Sequence, residues 1–158
     1  EIFMVGDVRC LVATGWTDFT STGDVVAASN VCARDMNDFR QIRAGSGYRR
    51  LRPVDIIERN HATKAFFTQE LAKPFHGKTV VVSHHCPVPE AAGYEDEGHI
   101  SAAYYNNWHG LVQQADVWIF GHTHKSIDTV FGNCRVISNP RGYPGEETGF
   151  EPAKILEV

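Results

Sequence analysis

Two short, continuous runs of hydrophobic residues stand out along the chain. Thr79 to Ser83 and Asp116 to Phe120 each form such a run, which is typical of strands buried on both faces of a sheet. Residues 1–14 contain two further apolar runs around Gly6 and Asp7, which predict a hairpin. Strands of this kind, interleaved with helical segments, indicate an α/β protein.

Helical periodicity occupies part of the remaining chain. Apolar residues recur on one face between about Asp24 and Asp38, which predicts a helix. A second helix is predicted from Pro53, which fits a first turn, to a point before Pro74. A third is predicted near residues 102–115. Loops are predicted over the segment that begins at Gly15 and over residues 43–52, 86–100 and 139–145.

The C-terminal part of the chain is predicted to contain a hairpin and a last strand. Ile127 to Val130 and Arg135 to Ser138 flank a Gly132-Asn133 turn. Ala153 to Val158 alternates as a final strand would. Since no repeat, linker or low-complexity tract is visible, residues 1–158 are interpreted as a single domain.

Composition and charge narrow the classes of function. The 158 residues are 42% hydrophobic and 11% aromatic, which supports a packed core and excludes general disorder. No apolar stretch approaches the roughly 20 residues of a membrane-spanning helix. A net charge of -4 argues against bulk nucleic-acid binding. The four cysteines form no C-x-x-C pair and are typical of reduced thiols, so we expect a cytoplasmic protein.

Each of the two buried strands ends in histidines. The first run leads into His84 and His85, and the second leads through Gly121 to His122 and His124. The carboxyl ends of strands in open α/β sheets are where sites form, and neutral imidazole is a common metal ligand. The pattern therefore favours a metal site over a set of polar loop histidines, which is the alternative.

The motifs, taken in order, resemble the C-terminal half of a calcineurin-like metallophosphoesterase. VVVSHHCP (residues 80–87) is similar to that family's strand, ligand histidine and proline, and FGHTH (120–124) is similar to its Gly-His-x-His motif. WTDF (16–19) and SNPRGYPGEETGFEPAKILEV (138–158) resemble one bacterial and phage-like branch. The resemblance implies part of a four-layer α/β/β/α sandwich with mixed sheets and a dinuclear metal centre.

Carried over residue by residue, the resemblance assigns three metal ligands. His84 would bind one metal, His122 would share that metal, and His124 would reach the other. His84 is preferred to His85 because the family places its ligand first after the strand, and a catalytic role is left open for His85. Asn139 and Arg141 follow the next strand and are candidates for binding substrate phosphate.

The family's other ligand motifs, an Asp-x-His, a Gly-Asp and a Gly-Asn-His, are not matched. Gly6-Asp7 lies in a predicted hairpin turn, and Arg59-Asn60-His61 lies in a predicted helix without the motif's glycine. Three neutral histidines cannot bridge two dications. We therefore expect this chain to be a fragment of a longer protein whose N-terminal half supplies the carboxylates. By itself the chain is expected to be catalytically poor.

Two classes of function follow from this reading. The first is a hydrolase of phosphomonoesters or phosphodiesters that uses hydroxide activated by two divalent ions, of which Mn, Fe, Zn and Ni are all candidates. Its partners would be a small phosphate ester and the absent N-terminal half. The alternative is a non-catalytic binding or interaction module with at most one metal. An uncovered sheet face would also permit a homodimer. A mononuclear metallohydrolase of another fold is disfavoured because its His-x-His would usually come earlier.

Overall fold

The structure of the protein is a computed structural model that describes residues 1–93 and 97–158. The strands within these ranges are β1 (Ile2–Val5), β2 (Val8–Val12), β3 (Arg43–Ala44), β4 (Arg49–Arg50), β5 (Lys78–Val82), β6 (Val117–Phe120), β7 (Ile127–Phe131) and β8 (Cys134–Ser138). The helices are α1 (Val25–Asp35), α2 (Asp38–Gln41), α3 (Pro53–Leu71) and α4 (His109–Val112), with 3-10 turns at Thr20–Thr22, Pro89–Ala91 and Gly98–Ala103.

A six-stranded mixed sheet organises the molecule, in the order β1-β2-β5-β6-β8-β7. The four central strands β2, β5, β6 and β8 are parallel, and the two edge strands pair antiparallel with their neighbours. The predicted α/β class with a mixed sheet is therefore confirmed. Parallel β5 and β6 end at the same edge of the sheet, and this places the two histidine-bearing loops side by side.

One face of the sheet packs against α3 and α4. Trp118 of β6 is fully buried there between the rings of Phe67 and Trp108, whose centroids lie 5.5 and 6.1 Å away. Burial of these large aromatic side chains supplies much of the apolar area that drives folding. The helix that follows Pro53 is confirmed, and it ends at Leu71, before Pro74.

A second apolar cluster lies under α1 and the loops around it. Its buried members include Phe19, Cys32 and Phe39, and the backbone of the 3-10 turn at Gly98–Ala103 lies against α1. The predicted helix between Asp24 and Asp38 is observed as α1, which begins after Asp24, whose side chain accepts a hydrogen bond from the Ala27 amide. This cluster fixes the loops that close over the histidine end of the sheet.

The opposite face of the sheet is covered by the end of the chain. Buried Cys10, Val80, Val117 and Ile137 form this face, and Leu156 packs against them. The predicted last strand over residues 153–158 is wrong: the segment pairs with no strand, and Leu156 contributes a side chain to the apolar face instead. The rim of the face remains open, since exposed apolar side chains occur on β1 and at Val130.

Two further element predictions are corrected. The single helix expected over 102–115 is divided into the 3-10 turn and α4, because the Asn106 and Trp108 amides donate to the Cys86 and Pro87 carbonyls. The loop expected over 43–52 contains a small hairpin of β3 and β4. The loop expected over 86–100 carries the turn at Pro89–Ala91, and its residues 94–96 lie outside the described residues.

Both predicted hairpins are observed. β1 and β2 form the expected hairpin, and β7 and β8 form the hairpin around the Gly132-Asn133 turn. All four cysteines are free and buried. None of the helices in the described ranges is long and apolar enough to cross a bilayer.

Candidate metal centre

The two histidine loops are joined by backbone hydrogen bonds. The Gly121 amide donates to the His84 carbonyl over 3.0 Å, directly after β5 and β6 end. The Ser83 hydroxyl donates to the His85 carbonyl and accepts a bond from the indole of Trp118, at 2.8 and 2.9 Å. The buried Trp118 indole therefore holds the first histidine loop in place through Ser83.

His84 and His122 meet at the centre of the site. The Nε2 atom of His84 lies 3.1 Å from the Nδ1 atom of His122. Two nitrogens that each lie about 2.1 Å from one ion are separated by roughly 3.0 to 3.4 Å when their angle at the ion is about 90 to 110°. The observed separation fits two ligands of one metal, and in the absence of an ion it is also that of an N–H···N hydrogen bond between the two rings.

Burial keeps these imidazoles neutral. Desolvation, with the nearby His84 and His124, lowers the pKa of His122 from 6.5 to about 3. Desolvation also lowers the pKa of His84, against the opposing charge of Asp38. Neutral imidazole is the form that binds a metal, so the site is prepared for ligation at neutral pH. The Nε2 atom of His122 is buried and has no acceptor in hydrogen-bond geometry. The nearby Ala103 backbone favours the charged ring and so acts to raise the pKa of His122, against the larger effect of burial.

His85 lies behind this pair, in the protein interior. Its side chain is 2% exposed, and its ring centroid is 4.3 Å from that of His122 and 5.0 Å from that of Trp16. Burial holds its pKa well below the ordinary range. Its Nδ1 atom is 3.4 Å from the Thr14 carbonyl. Of the two histidines in the first loop, His84 places a ring nitrogen close to His122. His85 packs against the His122 ring from the protein interior.

His124 lies two residues after His122 in the second histidine loop, and its imidazole contacts Glu146. Its Nδ1 atom is 2.8 Å from the Oε2 atom of Glu146, and its ring meets that of Tyr143 edge to face at 4.8 Å. Both His122 and His124 have a left-handed backbone, with φ of 68° and 53°. Such a conformation is uncommon for residues other than glycine.

A cavity of about 410 Å³ opens beside His122 and His124. Carboxyl groups of four residues line it: Asp35, Asp38, Glu97 and Glu146. Its apolar surfaces come from Met36, Ile100, Tyr104 and Tyr143. These acidic residues could not be found from a motif, because they come from three separate segments (residues 35–38, 97 and 146) and share no spacing pattern. Their closeness follows from the packing of α1 and α2 over the loops.

Asn139 and Arg141, the candidates for phosphate binding, do not line this cavity. The Asn139 side chain donates to the Glu151 carbonyl and accepts from the Glu151 amide, both at 2.9 Å. Arg141 is exposed and borders a neighbouring depression that shares Tyr143 and Glu146 with the cavity wall. Their role in substrate binding stays a prediction.

The loop that carries Trp16 lies beside the site, where the Trp16 ring packs against that of His85. Asn60 of α3 is fully buried, and its Nδ2 atom donates to the Trp16 carbonyl and to Asn106 Oδ1. Asn106 in turn donates to the Gly15 carbonyl. Asn60 thus holds a loop, whereas its neighbour His61 is exposed, and Gly6-Asp7 forms the β1–β2 turn.

The donor set fits part of a metal centre. Within residues 1–93 and 97–158, no three side chains of His, Cys, Asp or Glu are placed so that they could hold an ion together. The chain supplies the His84–His122 pair and, beside it, His124 engaged with Glu146. Nitrogen donors of this kind suit Zn, Fe, Ni or Mn once further ligands are added.

Comparison with known proteins shows a shared fold and the share of each similar protein that this chain covers. No family model matches the chain. An uncharacterized protein, L509, of Acanthamoeba polyphaga mimivirus is 20% identical over 169 residues, which cover all of this chain and 58% of the viral protein. The crystal structure of the phosphopantetheinyl hydrolase PptH from Mycobacterium tuberculosis matches 91% of this chain and 54% of the hydrolase, with a TM-score of 0.64 and 18% identity. The chain spans little more than half the length of these two proteins, and over that length it has the α/β fold of the hydrolase.

Proposed function

We propose that the chain supplies the histidine half of a two-metal centre in a phosphoester hydrolase. The observation that carries the proposal is the 3.1 Å contact between His84 Nε2 and His122 Nδ1 at the shared end of β5 and β6. The fold shared with a phosphopantetheinyl hydrolase supports the same class of reaction. The substrate class is a phosphomonoester or phosphodiester.

The roles of the residues follow from their positions. His84 and His122 would hold one ion, and His124, with its Nε2 atom available, would reach the second. When bound, divalent ions of this kind lower the pKa of water and neutralise the charge of phosphate oxygens. The chain's own contribution is to hold neutral nitrogen ligands on a fixed backbone and to line a cavity of about 410 Å³ for the ester.

The remaining ligands would come from outside this chain. Three neutral imidazoles contribute no charge, and two adjacent dications require bridging carboxylate. Similar proteins are nearly twice as long as this chain, which leaves room for a second half-domain. We infer that this half packs against the open rim of the sheet face. A second copy of the chain is the alternative occupant of that rim.

Metal analysis tests the proposal directly. The chain alone should bind no more than one ion, and a longer form with upstream sequence should bind two and hydrolyse an aryl phosphate or phosphodiester. His122→Ala should remove metal in both forms, whereas His109→Ala should not, since His109 pairs with Glu90 at the surface. Equal metal content in the two variants would overturn the assignment.

The alternative is a non-catalytic interaction module. Its supporting observation is that no group of three candidate ligands is placed to hold an ion in the part of the chain that the structure describes. Hydrolysis by the longer form that depends on added metal would exclude this alternative. A reading frame that starts at residue 1, with a metal-free product, would favour it.

A further inference from the structure

The contact between His124 and Glu146 is the feature that the proposed function leaves unexplained. Glu146 Oε2 lies 2.8 Å from His124 Nδ1, within hydrogen-bond distance. The two side chains are 33% and 40% exposed. Exposed pairs of this kind usually contribute little to stability.

The carboxylate is itself held in place by the backbone. The Tyr143 amide donates to the same Oε2 atom at 2.7 Å, and the Glu146 amide donates to the Tyr143 carbonyl at 3.1 Å. Thr148 anchors the end of this loop, because its hydroxyl donates to the Pro140 carbonyl and its carbonyl accepts from the Ser126 amide. Glu146 is therefore a fixed acceptor.

The imidazole is restrained from its other sides as well. The Tyr143 ring meets it edge to face at a centroid distance of 4.8 Å. The left-handed backbone of His124, with φ of 53°, fixes the direction in which its side chain leaves the loop. The bond to Glu146, the Tyr143 ring and the backbone conformation together restrain the imidazole, although it is partly exposed to solvent.

We propose that Glu146 is a positioning residue that holds His124 as the Nδ1–H tautomer and leaves Nε2 free to bind an ion. The inference rests on the proposed function for the ion, while the hydrogen bond stands on the contacts above. A carboxylate that accepts from the far nitrogen of a ligand imidazole fixes its tautomer and orientation and raises its basicity.

The first test reads the tautomer in the metal-free chain. Long-range ¹H–¹⁵N correlation spectra of ¹⁵N-histidine-labelled protein at pH 8 should show a protonated Nδ1 and an unprotonated Nε2 on His124. Glu146→Ala should return His124 to the Nε2–H form that free histidine prefers in water, and Glu147→Ala should leave it unchanged. A wild-type His124 in the Nε2–H form would overturn the proposal.

The second test reads the Co²⁺ affinity of the longer form that includes upstream sequence, because His124 is assigned to the second ion. Glu146→Ala should weaken the binding step that depends on His124 by about 10- to 100-fold, the usual effect of losing such a partner. Glu146→Gln, which keeps an oxygen acceptor, should lose less, and Glu146→Ala should add nothing in a His124→Ala background. Unchanged affinity in Glu146→Ala would overturn the proposal while the proposed function stands.

The two tests separate the failures of the two proposals. If the longer form with wild-type sequence binds no Co²⁺, the proposed function fails. The tautomer measurement then decides alone whether Glu146 sets the orientation of His124.

Discussion

His84 Nε2 and His122 Nδ1 lie 3.1 Å apart, although the two residues are 38 positions apart in the chain. The contact exists because β5 and β6 are parallel neighbours that end at the same edge of the sheet. It brings two imidazole nitrogens from separate loops to one point at the edge of the sheet.

Loss of His124 should be severe in a form of the protein that includes the missing ligands. We expect His124→Ala to lower turnover of an aryl phosphate or phosphodiester at least ~100-fold, as for removal of one electrostatic element of a transition state. His109→Ala, in which a surface imidazole beside Glu90 is lost, should retain nearly full turnover. Equal losses in the two variants would contradict the assignment.

Removal of the buried amide of Asn60 should destabilise the chain. Asn60→Ala leaves the Trp16 carbonyl and Asn106 Oδ1 without a buried donor. We expect a loss of about 2 kcal/mol or more in the free energy of unfolding, measured with urea. His61→Ala, one position on and exposed, should change it by less than about 0.5 kcal/mol.

Acid should remove the contribution of Asp55. The Arg49 guanidinium, which bonds both carboxylate oxygens, lowers the pKa of Asp55 from 3.8 to about 2, and the Arg52 amide donates to the same group. Because the pKa is lower in the folded chain, the stabilisation is present above pH 4 and is lost as the pH falls through about 2.

Asp55→Asn should therefore lower the melting temperature at pH 7 and have little effect near pH 2. The loss at pH 7 should be on the order of 1 kcal/mol, as for removal of a helix cap. Asp7→Asn, in the exposed β1–β2 turn, is the control. A difference between Asp55→Asn and wild type that does not depend on pH would show that the carboxylate charge is not involved.

The open rim of the sheet should make the isolated chain self-associate. Phe3 and Val5 of β1 are 47% and 61% exposed, and Val130 is 65% exposed. Light scattering should show dimers or larger species that Phe3→Glu reduces. Val26→Glu, on α1 and 72% exposed, should leave them unchanged. A monodisperse wild-type monomer would show that the rim needs no partner.

The sequence was most informative where local pattern and burial agree. The continuous run that became β5 and the proline-bounded α3 are determined by short-range chemistry, so periodicity alone predicted them. The convergence of His84 and His122 was predicted from the ends of two strands, and it depends on the parallel pairing of β5 with β6. The metal ligation itself remains a prediction.

Long-range contacts account for what periodicity could not predict. Residues near Asn106 bond to the Cys86–Pro87 backbone, and this competition interrupts a helical pattern that looks continuous in sequence. Leu156 packs on a sheet face that strand alternation alone does not locate. Glu146 lies 22 positions after His124, and the turn at Tyr143 together with the Thr148–Ser126 backbone bond brings the two together.

The left-handed backbone at His122 and His124 has an evolutionary consequence. Each such residue costs about 1 to 2 kcal/mol relative to an ordinary conformation, and glycine removes most of that cost. A lineage that no longer used the site would therefore gain stability by drifting toward glycine or asparagine at both positions. Related sequences that keep histidine at both positions would therefore indicate a site that is still used.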